Sequence, residues 1–102
     1  MEIKMPKKNY SKTGKVCRVT FRYPNEEKAL SVHLAGSFNE WSFKSTPMKK
    51  LKSGDFSLTI SLQPGQEYAY RFVLDGNVWV NDPNAENFVP NEYGEKNSLV
   101  AV

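Results

Sequence analysis

The stretch FSLTISLQPGQEYAYRFVLDGNVWV, residues 56–80, decides the fold. Phe56, Leu58, Ile60 and Leu62 alternate with Ser57, Thr59 and Ser61. A period of two, apolar against polar, is the pattern of a strand with one face buried and one face wet. Gln63-Pro64-Gly65-Gln66 then breaks the run with turn residues. Alternation resumes from Glu67 to Leu74, with Tyr68, Tyr70, Phe72 and Leu74 on one face and Ala69, Arg71 and Val73 on the other. Asp75-Gly76-Asn77 is a hairpin signal, and Val78-Trp79-Val80 returns.

The length of that last turn sets which side chains share a face. A two-residue loop pairs Leu74 or Phe72 with Trp79 and sends both valines outward. A three-residue loop pairs Leu74 with Val78, Val73 with Trp79 and Phe72 with Val80. The hydrophobic pattern selects register, so the three-residue loop is expected, with Val78 and Val80 buried and Trp79 on the outward face beside Arg71. An outward indole suits a pyranose ring, whose axial C–H groups lie flat on it while neighbouring Arg and Asn groups meet the hydroxyls. It equally suits a second hydrophobic layer, and register alone does not choose. Trp41, in the loop Gly36-Ser37-Phe38-Asn39-Glu40-Trp41-Ser42, has the same two readings: a ligand platform or a plug for the end of the fold. Phe38 reads as a core plug.

Outward from this centre, Val16 to Tyr23 reads as a half-buried strand with Cys17, Val19, Phe21 and Tyr23 inward. Leu30 to Ala35 and Met48 to Leu51 read as short strands. After Asn81-Asp82-Pro83-Asn84 a long polar loop runs to Asn97, and Leu99 to Val102 closes the chain as a strand. Seven or so short strands with no helical period predict an all-β fold, an immunoglobulin-like antiparallel β-sandwich of the early-set type. Residues 1–15 read as a Lys-rich flexible tail and residues 16–102 as the domain.

Composition limits the function. A chain of 102 residues holds one domain, and with 39% hydrophobic residues it buries one core without a deep catalytic cleft. The net charge of +3 is unevenly placed. Lys4, Lys7, Lys8, Lys12 and Lys15 stand against Glu2 in the tail, and the remaining nine Lys or Arg are matched by ten Asp or Glu. A near-neutral body argues against a nucleic-acid reader. Cys17 is the single cysteine, which excludes an internal disulfide and a zinc cluster. No apolar run reaches membrane-spanning length and no signal core opens the chain, so the expectation is a cytoplasmic protein without a membrane partner. His33 lies in a strand, and Asp55, Asp75 and Asp82 sit in turns where Asp has a local hydrogen-bonding role. No opposed carboxylate pair, nucleophile motif, phosphate loop or metal-ligand spacing stands out, and neither enzyme activity nor a cofactor is expected.

Val32-His33-Leu34-Ala35-Gly36-Ser37-Phe38-Asn39-Glu40-Trp41 resembles the V-x-L-x-G-S-F-N-x-W opening of carbohydrate-binding module family 48, which includes the glycogen-binding domains of AMP-activated protein kinase β subunits. Leu62 to Gly76 is similar to the family's L-P-x-G-x-x-x-Y-K-F-x-V-D-G. Trp79-Val80-Asn81-Asp82-Pro83 is similar to its W-x-x-D-P, and Gly94 to Val100 to its terminal G-x-x-N-N-x-x-x-V. The resemblance covers residues 16–102. It implies a non-catalytic module for α-1,4-glucans such as glycogen, starch or maltooligosaccharides. Trp41 and Trp79 would be stacking platforms, Arg71 and Asn97 donors to sugar hydroxyls, and Tyr93 the loop residue reaching over the chain. The alternative it leaves is a regulatory module that packs on a glycan-metabolising enzyme or kinase without holding sugar. Three departures stand out: one extra residue in the hairpin, Arg71 where the family has Lys, and Ser98 in place of the second Asn.

Overall fold

A computed structural model describes residues 6–26 and 28–102 of the chain. Nine strands follow in order: β1 (Lys7–Tyr10), β2 (Cys17–Tyr23), β3 (Val32–Gly36), β4 (Lys49–Lys50), β5 (Phe56–Leu62), β6 (Glu67–Leu74), β7 (Val78–Val80), β8 (Asn87–Pro90) and β9 (Lys96–Ala101). They form two antiparallel sheets, one in the order β1-β2-β5-β4 and the other in the order β3-β6-β9-β8, with β7 also paired to β6. Two single-turn 3-10 segments, Ser37–Asn39 and Phe43–Ser45, lie between β3 and β4. There is no α-helix among the described residues.

The alternating strands meet face to face as the period-two pattern requires. Cys17, Val19, Phe21 and Tyr23 of β2 and Phe56 and Leu62 of β5 pack with Val32, Leu34, Tyr70, Phe72, Leu74 and Val100 of the other sheet. The rings interlock at the centre: Phe21 meets Tyr70 edge-on at 4.8 Å and Tyr23 meets Phe72 at 5.0 Å. Such pairs add about 0.5–1.5 kcal/mol each beyond the area they bury. Phe38 closes one end, partly buried against this core with its ring 6.1 Å from Phe21. Cys17 is a fully buried small hydrophobe.

The β6–β7 hairpin has the three-residue register: Leu74 opposite Val78, Val73 opposite Trp79 and Phe72 opposite Val80. The burial expected of both valines needs correcting. Val80 packs against the core, but Val78 is 49% exposed because it occupies the last rung before the turn, where the sheet ends. Leu30 likewise stands outside β3 and in solvent. Its N–H and that of Ser31 donate to Asp75 Oδ1 at 2.8 and 3.1 Å, so the hairpin Asp anchors the entry to β3.

Two strands carry no alternation that a sequence reading would register. Lys7–Tyr10, within the stretch read as a tail, is an edge strand on β2. It is held by polar reach rather than burial: Lys8 pairs with Glu86, and Tyr10 Oη donates to the Val102 carbonyl at 3.1 Å. Residues 1–5 of that stretch lie outside the described residues. The second is β8, inside the stretch read as a long loop, with Asn87 to Pro90 laid along β9. Its side chains are exposed or half-buried, so neither face shows an apolar row.

Candidate functional site

The outward face of the β3-β6-β9-β8 sheet is built by cross-strand neighbours, which share a face in an antiparallel ladder. Arg71 on β6 sits opposite Ala35, Val73 lies between His33 and Trp79, and Asn97 on β9 sits opposite Val89 on β8. Ala35 and Val73 point to this outward side yet are fully buried. The face is therefore covered rather than bare, and Trp79, directly opposite Val73, is 38% exposed. Trp79 partly shields the sheet and partly faces solvent, a state between the platform and the second-layer readings.

Trp41 arrives from the β3–β4 loop. Asn39 ties that loop down: its Oδ1 accepts the Gly36 N–H at 3.0 Å, and its Nδ2 donates to the Leu34 carbonyl at 3.2 Å and to Thr46 Oγ1 at 3.0 Å. Ser37 Oγ accepts the Ala69 N–H of β6 at 3.2 Å. Beyond Asn39 the chain reverses through two consecutive left-handed residues, Glu40 at φ 55° and Trp41 at φ 62°, and the Trp41 N–H returns to the Gly36 carbonyl at 2.9 Å. Left-handed non-glycine residues are uncommon and gather where a function holds them.

Gly36 is extended, so its backbone angles suit any residue, but the space above it is filled. A Cβ there would lie 2.6 Å from the Ala69 carbonyl oxygen and 2.6 Å from the Phe38 ring. Gly36→Ala is therefore expected to cost about 1–3 kcal/mol, read as a lower urea midpoint. An unchanged midpoint would mean that the loop accommodates the methyl group freely.

The remaining side chains come from the β8–β9 turn. The Asn91 N–H donates to the Glu95 carbonyl at 2.8 Å, and Asn91 Oδ1 accepts the N–H groups of Tyr93 at 2.9 Å and Glu95 at 3.0 Å. Asn91 Nδ2 donates to Asn97 Oδ1 at 3.3 Å. One Asn thus shapes the turn, presents Tyr93 to solvent at 81% exposure and orients Asn97. From the same turn Glu95 reaches Arg71, with Oε1 3.1 Å from Nη1.

All five residues singled out from the sequence, Trp41, Arg71, Trp79, Tyr93 and Asn97, line one hollow of about 500 Å³. Asn91 and Glu92 complete its wall, and the sequence reading missed both, as it missed the Glu95 contact to Arg71. Asn91 and Gly94, the latter left-handed at φ 78°, were the available signal: an Asn-x-x-Gly turn within a polar stretch. Arg71 is mostly buried and its Nε has no hydrogen-bond partner within the protein. Among the described residues, Glu92 is the carboxylate lining the hollow, and Glu95 of the same turn is held by Arg71. Among the described residues no cluster of His, Cys, Asp or Glu could hold a metal. No helical segment among the described residues is long and apolar enough to cross a membrane.

Beneath the hollow lies a buried polar chain. Tyr70 Oη donates to Asp82 Oδ2 at 2.7 Å, Asn84 N–H to Asp82 Oδ1 at 2.9 Å, and Asp82 N–H to Ser98 Oγ at 2.8 Å. Ser98 Oγ donates to Asn81 Oδ1 at 2.9 Å, and Asn81 Nδ2 to the Lys96 carbonyl at 2.8 Å. Asp82, read from sequence as a turn residue, is fully buried. It ties the end of β7 to β6 and β9, next to Asn97. Burial pushes its carboxyl above the ordinary range, against the Asn84 N–H and Tyr70 O–H bonds, which lower it. Burial likewise raises the Tyr70 phenol, reinforced by the Asp82 charge.

Residues 17–102 match the family described as the glycogen recognition site of AMP-activated protein kinase. The chain is 38% identical over 76 residues to the 5'-AMP-activated protein kinase subunit beta-2 of Homo sapiens and of Mus musculus, covering 74% of this chain and 26% of the relative. It is 44% identical over 61 residues to Protein PTST homolog 2, chloroplastic, of Arabidopsis thaliana, covering 60% of this chain and 10% of the relative. The chain thus spans about a quarter or less of the curated relatives it matches. Among solved structures, the enterochelin esterase of Shigella flexneri superposes with a TM-score of 0.73 at 13% identity, over 94% of this chain and 32% of that one. The maltogenic amylase of S. marinus gives 0.70 at 21% identity, over 93% and 15%. Identities this low speak for the fold alone.

Proposed function

The chain belongs to the family of glycogen recognition domains of AMP-activated protein kinase, and from that premise we propose that it is a non-catalytic module holding an α-1,4-glucan in the hollow between Trp41 and Trp79. The observation that carries this reading is the convergence of two tryptophans, Arg71, Asn97 and Tyr93 on one concavity from four separate segments of chain. Each indole takes the apolar face of a glucose unit. Arg71 lines the hollow and offers its guanidinium N–H groups, and Asn97, turned by Asn91, offers donor and acceptor to the hydroxyls between the stacked rings. Tyr93, on its fixed turn, lies over the strand of sugars.

A glycoside hydrolase sets two carboxyl groups on either side of the scissile bond. Here Glu92 and Glu95 share one turn and Glu95 is engaged with Arg71, which supports binding without chemistry. The curated relatives are named as a kinase subunit and as a chloroplastic PTST homologue, and each is much longer than the matched segment. That supports a module whose sugar contact serves a larger assembly, with a kinase or a glycan-active enzyme as the partner class.

Titration of the chain with maltoheptaose, beside cellulose oligomers, tests the reading. The α-linked ligand alone should bind, since a helical glucan presents successive rings to two separated platforms. Because the ligand is neutral, its affinity should change less than about twofold between low and moderate salt, where a phosphate-bearing partner would lose affinity steeply as counterions are released. A tenfold loss over that range, or equal binding of cellulose oligomers, would refute the assignment.

A further inference from the structure

The opposite side of the sandwich carries a second surface. The strands β1, β2, β4 and β5 contain six Lys or Arg residues (Lys7, Lys8, Arg18, Arg22, Lys49 and Lys50) and no Asp or Glu. Register sorts them by face. Lys7 pairs with Thr20, Arg22 with Ser57, and Ser57 with Lys49, while Arg18 pairs with Ser61. Lys7, Arg18, Arg22 and Lys49 therefore share the outward face, around a floor of short hydroxyl side chains. Thr20 and Thr59 are hydrogen-bonded across that floor at 2.8 Å. Among the described residues, of these four cations only Arg22 has a carboxylate partner, Asp55 at 3.0 Å.

Lysines on the edge strands β1 and β4 have a plain explanation, since charge on an edge discourages pairing with other chains. Arg18 does not, because it lies between β1 and β5, opposite Asn9 and Ser61. From residue 6 onward the chain holds thirteen Lys or Arg against ten Asp or Glu, an excess smaller than the four cations gathered on this one face. Four cations thus share one face whose strands hold no acid, with Asp55 beside Arg22 at its margin, while the other acids among the described residues lie on loops and on the far sheet. A surface of one sign, paved with hydroxyls, complements a segment of the other sign.

We propose that the outward face of the β1-β2-β5-β4 sheet docks an acidic protein segment, a run of Asp and Glu laid across Lys7, Arg18, Arg22 and Lys49. A protein segment fits better than a nucleic acid, because this face has no aromatic side chain on which bases could stack. The two sheets turn their outward faces in opposite directions, so the acidic segment and a ligand in the tryptophan-lined hollow do not compete.

The test uses the whole chain and a short oligoglutamate peptide at low salt, followed by backbone amide shifts. Perturbations are expected along β1, β2, β5 and β4, with the β8–β9 turn unmoved and the affinity unchanged by saturating maltoheptaose. Replacing Lys7, Arg18 and Lys49 together by Gln should weaken the peptide at least about tenfold. Replacing Lys28, Lys44 and Lys96, which removes the same charge elsewhere, should change it less than about twofold. Equal losses in the two triple variants, shifts confined to residues outside this sheet, or tighter binding of oligouridine or of phosphatidylserine vesicles than of the peptide would overturn the proposal. So would self-association of the chain that the first triple variant abolishes, since a second copy would then be the occupant. None of these readouts depends on sugar binding, so the two proposals fail separately.

Discussion

Trp79→Ala and Trp41→Ala are each expected to weaken maltoheptaose binding by roughly ten- to a hundredfold. Stacking on an exposed aromatic is worth about 1–3 kcal/mol in the comparable case of nucleobases, and about 1.4 kcal/mol is one decade of affinity. A shallow hollow offers few other apolar contacts, so either platform carries much of the total. The stability cost separates binding from folding. Trp79 is partly exposed and lies beside the fully buried Val73, so its truncation uncovers apolar surface and should lower stability by about 1–3 kcal/mol. That is less than the removal of a core aromatic and leaves the sandwich folded. Trp79→Phe keeps a ring over Val73 and should recover most of the stability and part of the affinity. Calorimetric titration and urea unfolding on the same variants make the comparison. Folded variants with unchanged affinity would remove both tryptophans from the site, and a variant that fails to fold would leave Trp79→Phe as the decisive measurement.

Tyr70→Phe is expected to lower stability by about 1–3 kcal/mol at neutral pH, because it strips one hydrogen bond from a fully buried carboxylate. The pH dependence identifies the cause. Asp82 holds its proton more tightly in the folded state than the ordinary carboxyl value of 3.8, since burial outweighs its two hydrogen bonds. A folded value above the unfolded one means that the folded state binds more protons in between. The stability contributed by Asp82 is thus complete below the unfolded value and is lost as pH rises through the folded value. Removing the Tyr70 bond removes one of the influences lowering that folded value, so the window extends upward and the loss at neutral pH grows. Urea midpoints of both proteins between about pH 4 and 7 should therefore diverge as pH rises. Asp82→Asn should flatten the dependence while keeping an acceptor for the Asn84 N–H and a partner for the Tyr70 hydroxyl. A Tyr70→Phe deficit that is the same at both ends of the range would show that the Asp82 charge is not what the phenol stabilises.

The elements legible without coordinates are those whose chemistry is written in local order. The alternations of residues 17–23, 56–62 and 67–74 require strands with one buried face, and the β6–β7 register follows from them, because a two- or four-residue loop would turn Val80 away from the core. The five residues that line the hollow could also be named from the sequence, since a family pattern keeps their spacing even though they are distant along the chain. Tertiary structure decided the rest, wherever partners come from elsewhere in the sequence. Strand β1 exists because Lys8 reaches Glu86 and Tyr10 reaches Val102, contacts that leave no apolar period behind. Strand β8 exists because β9 offers it an edge. Asp82 looked like a turn residue until folding placed the Tyr70 hydroxyl and Ser98 around it, and Val78 looked buried until the sheet ended beneath it. The clustering of positive charge on one face was invisible in a net charge of +3, because composition counts charges and only strand pairing sorts them by face. Local pattern records what a residue does with its neighbours in sequence, whereas burial, ion pairing and the shape of a binding surface depend on neighbours in space.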